Sequence, residues 1–173
     1  QISVAVDRYC IPGEGIEIRP YLFGNYLLCG SALCGGKAYA VLEQFFHGYA
    51  ENLTETPGSQ YEIMNTLAES AYAESSSLQV STLFCGTRQD PSLRGAVMGI
   101  SDRNFTPGNL ILGVLQGMAQ ELKGYYDAME HSTVTALAAS GGGVKKNPVL
   151  QKVLADLFRM PLILTQCNEE AAL

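Results

Sequence analysis

The stretch that decides the fold is residues 134–148, which read VTALAASGGGVKKNP. The small and β-branched residues at its start predict a short strand over Val134–Ala139. Asn147 and Pro148 are an N-cap residue and a proline at the first helical position, so a helix should begin there. Consecutive glycines between strand and helix let a backbone approach a flat or charged ligand that any Cβ would exclude. The unit is a candidate nucleotide site, and a plain tight turn explains it equally well.

The glycine spacing matches neither of two familiar nucleotide loops. It is not G-x-G-x-x-G and not G-x-x-x-x-G-K-[ST], so neither a dinucleotide fold nor a Walker loop is supported. Gly35-Gly36-Lys37 is a second glycine turn before a predicted helix, and it places amides and one ammonium where a phosphate could bind. Asn147 is ambiguous, because a side chain that caps a helix is already in use.

Outside this stretch, strands alternate with amphipathic helices. Strand patterns occur at 2–6, 16–33, 80–85, 96–100, 134–139 and 161–164. Helical periodicity predicts helices from Ala38 to Tyr49, from Ser59 to about Ser75, from Pro107 to about Glu130 and from Pro148 to Phe158. The alternation indicates an α/β layered architecture whose strand-end loops gather ligands.

Two local features refine the helices. The Ser59-Gln60-Tyr61-Glu62 segment matches a capping box, in which Ser59 and Glu62 would each accept a backbone amide of the other. Gly113, Gly117 and Gly124 would each cost the third helix up to about 1 kcal/mol relative to alanine. We therefore expect that helix to pack closely on a neighbour.

Composition limits the possible functions. The 173 residues are 47% hydrophobic and 16% charged, which is enough for one buried core and predicts one domain. A net charge of −6 argues against a nucleic-acid partner. No apolar run reaches the roughly 20 residues that span a bilayer, and no signal peptide is apparent, so we expect no membrane partner and a cytoplasmic location.

Metal sites and catalytic groups are not indicated by spacing. The cysteines are expected to be small buried thiols in a reducing compartment, and they are Cys10, Cys29, Cys34, Cys85 and Cys167. His47 and His131 have no carboxylate or cysteine at the spacing of a triad or metal site. Asp7, Asp102 and Asp156 likewise lack partners in sequence, so we predict neither a metal site nor a catalytic base.

The two ends are also informative. The first residues already alternate as a half-buried strand does, so we expect the chain to begin inside a structure. Residues 168–173 have the pattern of a helix start, with an N-cap residue and acids in the first turn. We expect that helix to be cut off.

The run from Ser140 to Pro161, followed by Glu169-Glu170-Ala171-Ala172, resembles the C-terminal signature of the FGGY carbohydrate kinases. Residues 84–91, with Arg94-Gly95-Ala96 and Gly99, resemble the Gly-x-Arg-x-x-Pro loop and following strand of that family. The resemblance implies that residues 1–173 are the C-terminal lobe of an actin-like, ribonuclease H-like ATPase fold with a mixed sheet flanked by helices. ATP with Mg²⁺ would lie between this lobe and the N-terminal lobe.

The resemblance also implies which residues meet the nucleotide. Gly142, Gly143 and Asn147 would border the adenosine, and Gly35 and Gly36 would lie near the phosphates. The family's Asp-x-Gly-Thr loop and catalytic Asp do not occur in this sequence, so we expect no catalytic residue here and no activity from the chain alone.

The implied activity is transfer of the ATP γ-phosphate to a sugar hydroxyl. Residues 21–30 and 33–37 resemble those of family members that phosphorylate sedoheptulose, with xylulose as the alternative ketose. Thr87 stands where the family often has an acid, so no substrate role is assigned to Arg88. A non-catalytic nucleotide- or sugar-sensing module, or a structural domain whose glycine turns bind nothing, are the alternatives on the same fold.

Overall fold

The computed structural model describes residues 1–74, 78–129 and 134–166. The strands are β1 (Ile2–Val6), β2 (Ile16–Pro20), β3 (Tyr26–Gly30), β4 (Gln79–Ser81), β5 (Ala96–Met98), β6 (Leu137–Ala139) and β7 (Leu162–Leu164). The helices are α1 (Lys37–Ala50), α2 (Tyr61–Ala73), α3 (Pro107–Asp127), α4 (Gly142–Lys145) and α5 (Pro148–Phe158). The predicted alternation of strands and helices is confirmed.

The first three strands form an antiparallel sheet with β3 in the middle. Val4 and Ile18 both stand opposite Leu28 in the two registers. The pattern at 16–33 allowed either a pair of strands or one bent strand, and the pair is what forms, joined through a single 3₁₀ turn at Leu22–Gly24. Leu28 is 2% exposed, so this sheet contributes directly to the core.

Helix α3 is the centre of the molecule. Its Ile111, Leu112 and Leu115 are at most 1% exposed, and it packs against α1, α2, α5, β1, β3 and β4. A Cβ on Gly113 would lie 2.6 Å from the carbonyl oxygen of Leu78, and one on Gly117 would lie 2.2 Å from that of Val80. The predicted close packing is thus confirmed for these two glycines and is wrong for Gly124, which faces open space.

The described strands form three sheets, and this differs from the single mixed sheet that the resemblance implied. The second sheet pairs β4 with β5 antiparallel, and the third pairs β6 with β7 parallel. Each ladder is only three residues long, because turns follow immediately at Phe84, whose amide donates to the carbonyl of Thr82, and at Gly141. Helix packing therefore joins the sheets in place of a continuous ladder, because α3 packs against β1, β3 and β4 of the first two sheets and α5 packs against both α3 and β7.

Two sequence predictions about the first two helices need correction. Ser59 makes only a 3.5 Å contact with the amide of Tyr61, so the capping box does not form. Gln60 is the N-cap residue instead, and its amide donates to Oε1 of Glu43 at 3.0 Å, which ties α2 to α1. On α1 the apolar stripe is only partly buried, because Phe45 and Tyr49 in its second half are 65% and 67% exposed.

Candidate functional site

The turn after β6 is built on glycine. Gly141 has φ +96° and ψ 147°, a conformation that L side chains rarely adopt. The amides of Lys145 and Lys146 then donate to the carbonyls of Gly141 and Gly142 at 3.1 Å each, which closes the single helical turn α4. This turn was not predicted, because two glycines in four residues hide a helix from sequence reasoning.

Gly142 and Gly143 present bare backbone to solvent. Both are exposed, and among the described residues no atom outside their chain neighbours and the backbone of α4 lies within 4 Å of the place where a Cβ would stand. We call these two residues the glycine shelf. The shelf is free for a flat ligand, and an added side chain would occupy the same space.

Asn147 supports the shelf from within. The residue is 4% exposed, and its Oδ1 accepts from the amide of Leu150 at 2.9 Å as the cap of α5. Nε2 of Gln151 donates to the carbonyl of Val144 at 2.8 Å and fixes the same turn. The cap predicted for Asn147 is therefore confirmed, and its Oδ1 is in use.

The second candidate segment, Gly35-Gly36, opens helix α1. Gly35 has φ +45°, and both glycines face open space at the Cβ position. The amides of Lys37 and Ala38 donate to the carbonyls of Cys34 and Gly35, whereas no hydrogen bond within the described residues uses the amides of Gly35 and Gly36. A helix N-terminus with unused amides attracts negative charge.

Tyr39 and Asn65 join the two segments. Oη of Tyr39 donates to Oδ1 of Asn65 at 2.8 Å, and Nδ2 of Asn65 approaches the carbonyl of Lys146 at 3.4 Å. Burial raises the pKa of Tyr39 to about 12, while a hydrogen bond from Asn147 opposes that rise. Sequence reasoning missed both residues, since nothing in their spacing marks two helix positions as neighbours of a distant turn.

The Gly-x-Arg loop is engaged within the chain. Arg88 forms an ion pair with Glu17, whose pKa is lowered by its hydrogen bond to Arg19 and then by Arg88. Gly86 has φ +70°, and a Cβ there would lie 2.8 Å from the carbonyl oxygen of Asp90. Arg88 thus holds the loop against β2.

The described cysteines are free thiols, and they are Cys10, Cys29, Cys34 and Cys85. Burial, and then a hydrogen bond with Cys85, raise the pKa of Cys34 to about 11. The buried Nδ1 of His47 has no hydrogen-bond partner among the residues that the structure describes, and its Nε2 lies 3.7 Å from Oε1 of Glu51. Cys167, His131 and the predicted helix at 168–173 lie outside the described residues.

Two further properties concern metal binding and membrane spanning. Within residues 1–74, 78–129 and 134–166, no three His, Cys, Asp or Glu side chains are grouped so as to hold a metal ion. None of the helices in those ranges is both long and apolar enough to cross a bilayer.

Solved structures of sugar kinases share this fold. The chain superposes on xylulose kinase from Rhodospirillum rubrum with a TM-score of 0.74 at 21% identity, covering 94% of this chain and 32% of that one. For ligand-bound xylulose kinase from Lactobacillus acidophilus the TM-score is 0.79 at 18% identity, with 96% and 33% covered. For Plasmodium falciparum glycerol kinase with ADP the TM-score is 0.63 at 17% identity, with 84% and 28% covered.

At these identities the superpositions show the fold alone, and the chain spans about a third of the length of these kinases. A comparison of the sequence with curated proteins found no significant match. The family model for the FGGY family of carbohydrate kinases, C-terminal domain, matches residues 19–173. Because this match covers most of the chain, the chain belongs to the FGGY family of carbohydrate kinases and is a C-terminal domain of that family.

Proposed function

We propose that this chain is the nucleotide-holding C-terminal lobe of an ATP-dependent sugar kinase. The observation that carries the proposal is the glycine shelf, which is open to solvent and is connected through Tyr39 and Asn65 to the turn at Gly35-Gly36. One segment suits a flat adenosine and the other suits phosphates, and they are part of one hydrogen-bonded unit. A nucleoside triphosphate needs both kinds of surface.

The adenosine would lie against Gly142 and Gly143, where close approach of the backbone is possible. Asn147 would contribute from beneath, by fixing the turn that presents those glycines. The phosphates would meet the unused amides of Gly35 and Gly36 at the positive end of α1, which is 14 residues long. The exposed ammonium of Lys37 adds a positive charge at the same end.

Within the described residues, no three His, Cys, Asp or Glu side chains are grouped as a cage for a metal ion. Mg²⁺ would come with the ATP phosphates, which are its usual ligands in such sites. A carboxylate that removes the proton from the sugar hydroxyl would be supplied by the N-terminal lobe. This chain alone would bind and orient the nucleotide without turnover, and lobe closure would exclude water from the transfer.

We propose a ketose as the sugar. Residues 21–30 and 33–37 support sedoheptulose, and two of the structural neighbours are xylulose kinases. The free thiols support a reducing compartment, and we propose the cytoplasm.

The test is a coupled ADP-release assay of the full-length kinase with sedoheptulose, xylulose, gluconate and glycerol as acceptors. We expect one ketose to exceed the other compounds by about tenfold or more in kcat/KM. ATP binding without turnover of any acceptor would favour a nucleotide-sensing module instead. Absence of ATP binding would end the proposal.

A further inference from the structure

The hydroxyl of Tyr39 is the point where the two nucleotide segments meet. Tyr39 lies in the first turn of α1, three residues after Gly36, and its ring is stacked on that of Tyr61 at 5.7 Å between centroids. The same hydroxyl donates to Oδ1 of Asn65 of α2 at 2.8 Å, and the side chain of Asn147, at the start of α5, lowers the pKa of Tyr39 against the effect of burial.

The direction of each hydrogen bond follows from which donor and acceptor atoms of the partners are still available. Tyr39 has a single hydroxyl proton and donates it to Asn65, so the side chain of Asn147 can act on that hydroxyl only as a donor, through its Nδ2. Tyr39 in turn donates to Oδ1 of Asn65, whose Nδ2 points to the carbonyl of Lys146. The bonds form a neutral chain that begins at the cap of α5 and returns to the turn before it.

The chain is suited to hold a fixed geometry. Asn147 is 4% exposed, so its amide has little access to water if the tyrosine hydroxyl is removed. Tyr39 also stays protonated at physiological pH, since burial raises its pKa, and its hydroxyl therefore remains a donor to Asn65.

We propose that Tyr39 and Asn65 are positioning residues that hold the glycine shelf in register with the Gly35-Gly36 turn. They would thereby set the distance between the surfaces for the adenosine and for the phosphates. This inference rests on the proposed function. It assigns neither residue a contact with ATP; both act through Asn147 and the carbonyl of Lys146.

A role in aligning the two nucleotide surfaces predicts a result that a general role in stabilising the fold does not predict. If the two surfaces shift relative to each other, a ligand that spans both loses affinity, whereas a ligand that occupies only one does not. Tyr39→Phe removes a hydroxyl and leaves the ring and its stacking in place. The expected loss for ATP is about three- to tenfold, the range for one hydrogen bond between partly buried neutral groups.

The experiment uses the full-length kinase and measures the KM of ATP together with inhibition constants, competitive with ATP, of adenosine and of tripolyphosphate. Tyr39→Phe should raise the KM of ATP by about three- to tenfold, with both inhibition constants and the KM of the sugar within about twofold. Asn65→Ala should give the same pattern. Tyr49→Phe is the matched control, because Tyr49 lies on the same helix and is 67% exposed.

Two results would overturn the inference while leaving the proposed function intact. One is an unchanged KM of ATP in both Tyr39→Phe and Asn65→Ala. The other is an equal loss for ATP, adenosine and tripolyphosphate accompanied by a lower melting temperature, which would mean a general structural role. An unsubstituted kinase that fails to bind ATP would overturn the proposed function and this inference together.

Discussion

Gly117 shows how one absent methyl group fixes the position of a helix. A Cβ at this residue would lie 2.2 Å from the carbonyl oxygen of Val80 and 3.0 Å from Cγ2 of Thr82. Because the nearest atom belongs to the backbone of β4, it cannot rotate out of the way. The strand and α3 would have to move apart.

Gly117→Ala should destabilise the protein by about 1–3 kcal/mol, the usual cost of overpacking. Gly124→Ala is the matched control on the same helix, since nothing lies within 4 Å of its Cβ position. That change should be neutral or stabilise by up to about 1 kcal/mol, because alanine favours a helix over glycine. Urea denaturation of both variants measures the difference, and an equal response would contradict the packing described for α3.

Glu121 gives the molecule a pH dependence of known sign. Burial raises its pKa above the ordinary 4.5, and the hydrogen bond from Thr82 at 3.3 Å only partly opposes this. The folded state therefore binds the proton more tightly than the unfolded state, and stability falls as pH rises above that ordinary value.

Glu121→Gln mimics the neutral acid at every pH. At pH 7 the variant should be more stable than the parent, by less than about 1 kcal/mol because the carboxyl is only half-buried. The advantage should vanish below about pH 4.5. Melting temperatures across pH 4–8 provide the test, and a parent that is the more stable protein at pH 7 would refute the assignment.

At the scale of elements, two helix starts that look alike in sequence differ in structure. Thr106 caps α3, with its Oγ1 accepting from the amide of Asn109 at 3.2 Å. Ser59 does not cap α2, because Gln60 takes that position and its amide is used by Glu43 of α1. Each position has a hydroxyl residue just ahead of a helix, and at α2 the contact with α1 decides which residue is the cap.

Thr106→Ala should therefore cost about 1 kcal/mol, the typical value of a lost N-cap. Ser59→Ala should stay within about 0.5 kcal/mol of the parent, as surface changes do. Denaturation midpoints of the two variants are the measurement. A loss for Ser59→Ala as large as that for Thr106→Ala would show that the capping box forms after all.

These elements also mark how far the sequence could be interpreted. Thr106, Asn147, Gly113 and Gly117 act on neighbours close in sequence or through the absence of a side chain, and their roles follow from local rules. The Tyr39–Asn65 connection depends on how α1, α2 and the turn before α5 are placed in space. Neither periodicity nor residue spacing in a single sequence predicts a contact of this kind, so the contact is visible only in the structure.

At the scale of the whole molecule, the family resemblance predicted the α/β architecture and the family correctly. Its prediction of a single mixed sheet was wrong. Strands of three residues, ended at once by turns at Phe84 and Gly141, leave separate ladders, which α3 and its neighbour α5 connect. The open glycine segments face no part of the described chain. In our proposal they are the surfaces that meet ATP.

The most direct measurement of this claim is the dissociation constant of ATP for the full-length kinase carrying Gly143→Asp, determined by isothermal titration calorimetry. The aspartate would place a side chain and a negative charge on the glycine shelf. Gly48→Asp is the control, because it also adds its side chain to open space and lies 12 residues along α1 from Gly36, about 18 Å away. We predict that Gly143→Asp weakens ATP binding about tenfold or more and that Gly48→Asp binds as the parent does. Equal ATP affinity in all three proteins would contradict the account.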